Sequence, residues 1–347
     1  MSIPAEFLPW FRRIAALVAC AWVFGCSAKV DNSAAGGDSA TGKAEITIGV
    51  LPKLVGIDFF NAVEKGAVEA AKELGVQLVF DGPVEADVTK QVVMVDSWIA
   101  RKFDAIAIAP NDPDAIAPVL RKARARGVPV ITFDADSQPD TRSFFVNQCT
   151  YAAVAKTLVE TMVKGIGAEG KYIYLTGSLT AANQNFWMEE MEKYVRKNYP
   201  KMVNLSEQPK PSEEDQALAT QMTIDILKSY PDVQGIFGMT SVALPGAAEA
   251  VRKEKAADRI FVTGLSTPNS MRPFIKDGTV KEFVLWNPVD QGYLAVHACK
   301  AQLDGTLTEA STSLAAGRLG AVQVNDGEVL LGAPVVFNAA NIDDYDF

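Results

Sequence analysis

Apolar positions along this chain fall into short unbroken runs, each followed by a longer segment with apolar residues at helical spacing. Ile46-Thr47-Ile48-Gly49-Val50-Leu51 reads as a strand apolar on both faces, as buried parallel strands are. Pro52 ends its pairing, Gly56 lets the next loop turn, and Phe59 and Phe60 open a helix continuing through Ala67, Ala70 and Ala71. Val76–Phe80 is the next strand, and a helix follows from about Ala86 to Lys102. Ala105–Ala109 is fully apolar and ends in Pro110-Asn111-Asp112-Pro113, where Asp112 is placed to cap a helix begun by Pro113. That helix ends in the basic stretch Arg121–Arg126 and stops at Gly127. Val128–Phe133 runs into Asp134-Ala135-Asp136, and Ser143–Asn147 is a fifth strand.

The pattern then repeats. Lys171–Leu175, Val203–Leu205, Val233–Met239, Ile260–Gly264 and Val280–Trp286 read as strands. Helices are expected from the Asn183-Gln184-Asn185-Phe186-Trp187 loop to about Asn198, over Glu213–Ser229 and Leu244–Lys253, and from Asp290 through Ala301. Strands alternating with helices of this length predict an α/β protein made of two similar, doubly wound, Rossmann-like lobes. In each half, polar residues collect after the strands: Lys53, Asn111, Asp134 and Asp136, then Asn183, Gln184, Thr240, Ser241 and Ser266. Ligands of open α/β sheets bind outside the carboxyl ends of the strands, so two facing ends make a cleft.

Composition narrows what such a cleft does. The chain has 347 residues, 48% of them hydrophobic, enough for two cores. Its net charge of −9 argues against a nucleic-acid partner, which needs a basic face. The single histidine, His297, sits in an apolar helical pattern and reads as a packed residue, while Cys20, Cys26, Cys149 and Cys299 lack metal-type spacing. No metal site, cofactor loop or histidine-based triad is expected, and neither GxGxxG nor GxxxxGK[ST] follows any strand.

Residues 1–25 carry Arg12-Arg13 and then a short apolar run, the form of an export signal. Val23-Phe24-Gly25-Cys26 resembles a bacterial lipobox, which predicts lipid attachment at Cys26. Residues 26–43 are small and polar and read as a flexible tether. The expected contact with a membrane is through that anchor alone, and an exported compartment permits, without requiring, a Cys149–Cys299 disulfide.

Carboxylates, amides and aromatic faces together suit a neutral polyol. A carboxylate accepts hydroxyl protons, an amide both donates and accepts, and an aromatic ring covers the C–H face of a sugar. Phe59, Phe60 and Trp187 are the candidate rings, although adjacent positions on one turn are not expected to face one core. Asp134 and Asp136, read along an extended segment, fall on the same side, as a general acid/base pair would. No further carboxylate is evident opposite them, so an enzyme is not expected.

From Ile46 to Phe347 the chain resembles the type I, ribose-binding-like periplasmic sugar-binding proteins of ABC importers, and within them the group holding the rhamnose-binding and autoinducer-2-binding proteins. The resemblance is carried by Pro52-Lys53-Leu54-Val55-Gly56, Asn111-Asp112-Pro113-Asp114, Thr132-Phe133-Asp134-Ala135-Asp136, Asn183-Gln184-Asn185 and Val262-Thr263-Gly264-Leu265-Ser266-Thr267-Pro268. The autoinducer-2 pattern has an aspartate where this chain has Asn183, and a proline and an alanine where it has Met239 and Ser241. Trp286-Asn287-Pro288 with Asp290, and Ala316-Gly317-Arg318, are similar to the rhamnose-binding pattern, which makes a deoxyhexose the favoured ligand.

The resemblance implies three chain crossings between the lobes, near 147–150, 286–290 and 317–321. The first lobe would hold 44–147 with 290–316, and the second 148–286 with 319–347. It implies closure on a ligand, with Trp286, Asn287 and Asp290 near the hinge, recognition by importer permease subunits, and action as a monomer. Closed binding proteins also serve chemoreceptors. A DNA-binding regulator of this fold would carry a helix-turn-helix where this chain has its export signal.

Overall fold

The computed structural model describes residues 45–347; the export signal, Cys26 and the tether lie outside the described residues. The first sheet has eight strands in the order β12-β13-β14-β5-β4-β3-β1-β2. They are β1 (Thr47–Leu51), β2 (Gln77–Phe80), β3 (Ala105–Ile108), β4 (Val130–Phe133), β5 (Phe144–Cys149), β12 (Ser313–Ala315), β13 (Ala321–Asn325) and β14 (Glu328–Gly332). The second sheet joins β6 (Lys171–Thr176), β7 (Val203–Asn204), β8 (Lys210–Pro211), β9 (Gly235–Gly238) and β10 (Phe261–Gly264), all parallel. A separate antiparallel pair, β11 (Glu282–Leu285) with β15 (Val335–Asn338), lies beside β10.

Alternation explains how each strand serves two layers. In β3, Ala105 and Ala107 face one core and Ile106 and Ile108 the other. The alanine side receives α9 (Pro288–Leu303), and the isoleucine side meets α2 (Val88–Ala100) and α3 (Ala117–Ala125). Helix α1 (Asp58–Leu74) crosses α9 where two glycines meet backbone: a Cβ on Gly66 would stand 1.7 Å from Val289 O, and one on Gly292 1.9 Å from Val63 O. In the second lobe, Gly235 meets Met162 of α4 (Tyr151–Ile166) and Gly238 meets Leu244 of α7 (Ala243–Lys253). Three residues apart on a strand, the two glycines point to opposite faces, so helices cover both sides of this sheet. The set is completed by α5 (Ala182–Asn198), α6 (Gln216–Ser229) and α8 (Pro268–Lys276).

Several expectations are corrected. Asp112 does not cap a helix at Pro113; its Oδ1 accepts from the Asp114 and Ala115 amides at 2.9 Å each in a turn, and α3 begins at Ala117. The segment 317–321 is not a crossing, and 319–332 does not belong to the second lobe. β13 and β14 form a hairpin through Asp326-Gly327, both at positive φ, and β14 pairs with β5 in the first sheet. The chain passes to the second side at Ala333-Pro334, between β14 and β15. Cys149 and Cys299 are buried free thiols, and His297 packs 4.4 Å from the Tyr293 ring.

Candidate functional site

The loops leaving β1, β4, β6, β8 and β9, with the end of β11, converge on one cavity. Both lobes contribute to it. Lys53 and Asp134 come from the first lobe; Asn183, Gln184, Trp187, Glu214, Thr240 and Ser241 come from the second, and Trp286 from the passage between them.

Lys53 is only 4% exposed. Its Nζ donates to Asn183 Oδ1 at 2.9 Å and stands 3.6 Å from Asp134 Oδ2. Asn183 Nδ2 in turn donates to the Asp134 carboxylate at 3.3 Å. Asp134 sits at φ +59°, with the Ala135 amide donating to Phe133 O at 2.6 Å across it. That tight turn, costly for a residue with a Cβ, aims the carboxylate into the cavity. Burial pushes the pKa of Asp134 up, while Lys53 and the hydrogen bond from Asn183 pull it down.

On the facing side, Gln184 Oε1 accepts from the Thr176 hydroxyl and from the Gly177 amide at 2.8 Å, leaving its Nε2 to donate to Glu214 Oε1 at 3.1 Å. Burial also raises the pKa of Glu214, opposed mainly by Lys53. Thr240 accepts from the Val242 and Ala243 amides at the start of α7, and Ser266 holds Ser241 by donating to its carbonyl at 2.9 Å.

The aromatic wall is continuous. Phe59 lies edge-on to Phe60 at 5.1 Å and to Trp286 at 6.1 Å, and Trp286 lies 5.5 Å from Trp187. Phe59 and Phe60 both line the cavity, because they begin α1 at its rim; contrary to expectation, both also pack into one core. The Trp187 indole N–H, on a side chain 2% exposed, finds no hydrogen-bond partner. A buried donor without a partner is costly unless a ligand or water takes it.

Six expected residues lie outside the cavity lining. Asn111 supports it from behind, donating to Lys53 O at 2.8 Å while Gln91 accepts from its backbone amide at 2.9 Å. Asp136 is held by Arg142 at 2.7 Å and by the Thr132 hydroxyl, and is not paired with Asp134. The positive φ of Asp134 breaks the extended alternation that would have put both carboxylates on one side. Asn185 is exposed and donates to Leu179 O at 2.9 Å, and Ser266 acts through Ser241. Asn287 caps α9 through the Val289 and Asp290 amides, and Asp290 is paired with Arg318.

Sequence reasoning missed Glu214, together with the apolar lining from Leu54, Ile57, Met239, Leu265 and Leu285. It also missed a chain of amides beneath the cavity. Trp286 Nε1 donates to Gln291 Oε1, Gln291 Nε2 to Gln148 Oε1, and Gln148 Nε2 to Asp134 O, at 2.9, 2.9 and 3.1 Å.

The chain is similar to the D-ribose/D-allose-binding protein of Pseudomonas aeruginosa, 28% identical over 243 residues that make up 67% of this chain and 74% of the relative. In three dimensions it is similar to LsrB from Clostridium saccharobutylicum, solved with AI-2, at TM-score 0.83 and 26% identity over 87% of this chain and 100% of that one. An ABC transporter solute-binding protein from Clostridium phytofermentas, solved with L-rhamnose, matches at TM-score 0.82 and 26% identity, over 87% of this chain and 98% of that one. Other relatives are named as import binding proteins, not as enzymes. The model of the periplasmic binding protein domain matches residues 48–307, and the chain belongs to that family.

Proposed function

We propose that this protein is the sugar-binding component of an ABC importer and takes a neutral monosaccharide, a deoxyhexose such as L-rhamnose, between its closing lobes. The observation that carries the reading is a cavity whose lining brings together carboxylates, amides, hydroxyls and an aromatic wall from both lobes, with Trp187, whose indole N–H has no partner, among its residues. Ring hydroxyls meet those acceptors and donors, and the C–H face lies against Phe59, Phe60 or Trp286. Residues of both lobes surround the ligand, so it favours the closed state and shifts the population toward it. Importer permease subunits recognise the closed form, which a chemoreceptor can also read. Export, with a lipid anchor at Cys26, places the protein where it meets its ligand.

Autoinducer-2 is the second reading, supported by Lys53 with Asp134 and by the likeness to LsrB. Asn183 weighs against it: its Nδ2 donates to Asp134, which an ionised aspartate at that position could not do. Calorimetry of the protein, freed of bound ligand by unfolding and refolding, tests both. One-to-one binding of L-rhamnose at micromolar affinity or better supports the first reading. Binding of autoinducer-2 alone moves the assignment to the second, and binding of neither overturns both.

A further inference from the structure

The segment between β8 and α6 is built in an unusual way for its residue types. Ser212 is tied to Thr176 O through both its amide, at 2.7 Å, and its hydroxyl, at 3.0 Å. Asp215 caps α6 by accepting from the Leu218 amide at 2.9 Å. Between these two anchors, Glu213 and Glu214 are both left-handed, at φ +51° and +54°. Glycine or asparagine takes that conformation at low cost, and glutamate does not. The chain nonetheless holds two glutamates in it, and the consequence is that the Glu214 carboxylate turns back into the ligand cavity.

The opposite wall is shaped to receive it. Gly177 faces the carboxylate, and a Cβ there would stand 2.0 Å from Glu214 Oε1. Gln184 presents its amide N–H to the same oxygen at 3.1 Å, with its own carbonyl locked by Thr176 and Gly177 so that the amide cannot be turned the other way. The cation of the cavity, Lys53, stands against Asp134 instead. An ionised carboxylate has about four acceptor positions, so Glu214 retains capacity toward the cavity. The same residue borders the outer groove beside Ile57 and Ser241.

We propose that Glu214 is a specificity-determining residue of this cavity, accepting a hydrogen bond from one ring hydroxyl of the sugar, and that Gly177 and the two left-handed residues are the device that seats its carboxylate there. The inference rests on the monosaccharide reading above. It assigns the two carboxylates different parts. Asp134, shared with Lys53 and Asn183, joins the lobes; Glu214, held by the second lobe alone, selects among hydroxyl patterns.

The test is calorimetry of the full protein as wild type, E214Q and G177A, titrated with L-rhamnose and with its 2-, 3- and 4-deoxy analogues. E214Q should weaken L-rhamnose about 10- to 100-fold, the range for one hydrogen bond to a charged group. One deoxy analogue should lose a similar factor on the wild type and nothing further on E214Q. G177A keeps the carboxylate but displaces it, and should likewise weaken L-rhamnose while costing that same analogue nothing further; it also carries the test if E214Q fails to fold. Unchanged affinity in E214Q, or one equal factor lost for L-rhamnose and every analogue, overturns the role of Glu214 and leaves the sugar reading standing. A wild type silent toward L-rhamnose overturns the deoxyhexose reading, and this inference with it.

Discussion

Lys53 Nζ, on the loop after β1, donates a 2.9 Å hydrogen bond to Asn183 Oδ1 in the first turn of α5, so the two lobes meet through the cavity itself. The same ammonium stands 3.6 Å from Asp134, making one cation serve a carboxylate of its own lobe and an amide of the other. Lys53→Met keeps the length and apolar stem but strands the buried Asp134. Breaking a buried pair costs about 3–5 kcal/mol when the survivor stays charged. Asp134 can take up a proton instead, so the expected loss at neutral pH is roughly 2–3 kcal/mol in urea unfolding. Ligand affinity should fall at least about 100-fold. A variant with wild-type stability and affinity would remove Lys53 from the site.

Burial raises the pKa of both Asp134 and Glu214. The folded chain therefore holds more protons than the unfolded one between the ordinary carboxylate range, near pH 4, and the raised values. Their contribution to stability is fully present below that ordinary range and is lost as pH rises through the raised pKa values. Relative to the Asp134→Asn, Glu214→Gln double variant, the wild type should gain stability as pH is lowered from about 7 to about 4.5. Unfolding free energies of both proteins across that range check the sign; a relative gain toward neutral pH would contradict it.

Much of this was legible because local pattern and tertiary position agree. The all-apolar run at β3 announces a strand covered on both faces, and Lys53 and Asp134 follow strand ends, where a cleft of this class draws its residues. Other positions were decided by backbone geometry that residue type does not announce. Glu214 was read as the first turn of a helix that starts at Gln216, since nothing in Glu213-Glu214-Asp215 signals two left-handed residues before the cap. Asp136 and Asp134 parted company for the same reason. The alternation of β13 and β14 about Asp326-Gly327 is a hairpin signal in the sequence, but which sheet receives the hairpin is settled by long-range pairing with β5.

The amide chain Trp286–Gln291–Gln148–Asp134 links the ends of β5 and β11 and the first turn of α9 to the back of the cavity. Gln148 and Gln291 are fully buried, so each hydrogen bond lost leaves a group without water to replace its partner. Gln291→Leu removes the middle link and orphans the Trp286 N–H and the Gln148 carbonyl. At about 1–3 kcal/mol for each unsatisfied group, discounted for relaxation, the expected cost is roughly 2–4 kcal/mol in urea unfolding. Ligand affinity should fall about 3- to 10-fold as Trp286 and Asp134 lose their common support. Affinity unchanged in a destabilised Gln291→Leu would make the chain a purely structural one.

The crossing of α1 and α9 is the firmest constraint on the first lobe, and it is reciprocal: Gly66 approaches the backbone of α9, and Gly292 that of α1. The obstructing atoms are carbonyl oxygens, which cannot rotate aside as a flexible side chain can. A methyl at 1.7 or 1.9 Å from such an oxygen forces the helices apart and opens the packing of α9 on β3, β4 and β5. Helix propensity alone would favour alanine over glycine by about 1 kcal/mol, so the sign of the effect separates propensity from packing. Gly66→Ala and Gly292→Ala are each expected to lower stability by about 3 kcal/mol or more, as overpacking against immobile backbone does. Because both substitutions press on one interface, the double variant should cost less than the sum of the two, the helices having already separated. Urea unfolding of the two single variants and the double variant reads this directly; stabilisation by either alanine would mean that the helices do not cross at this distance.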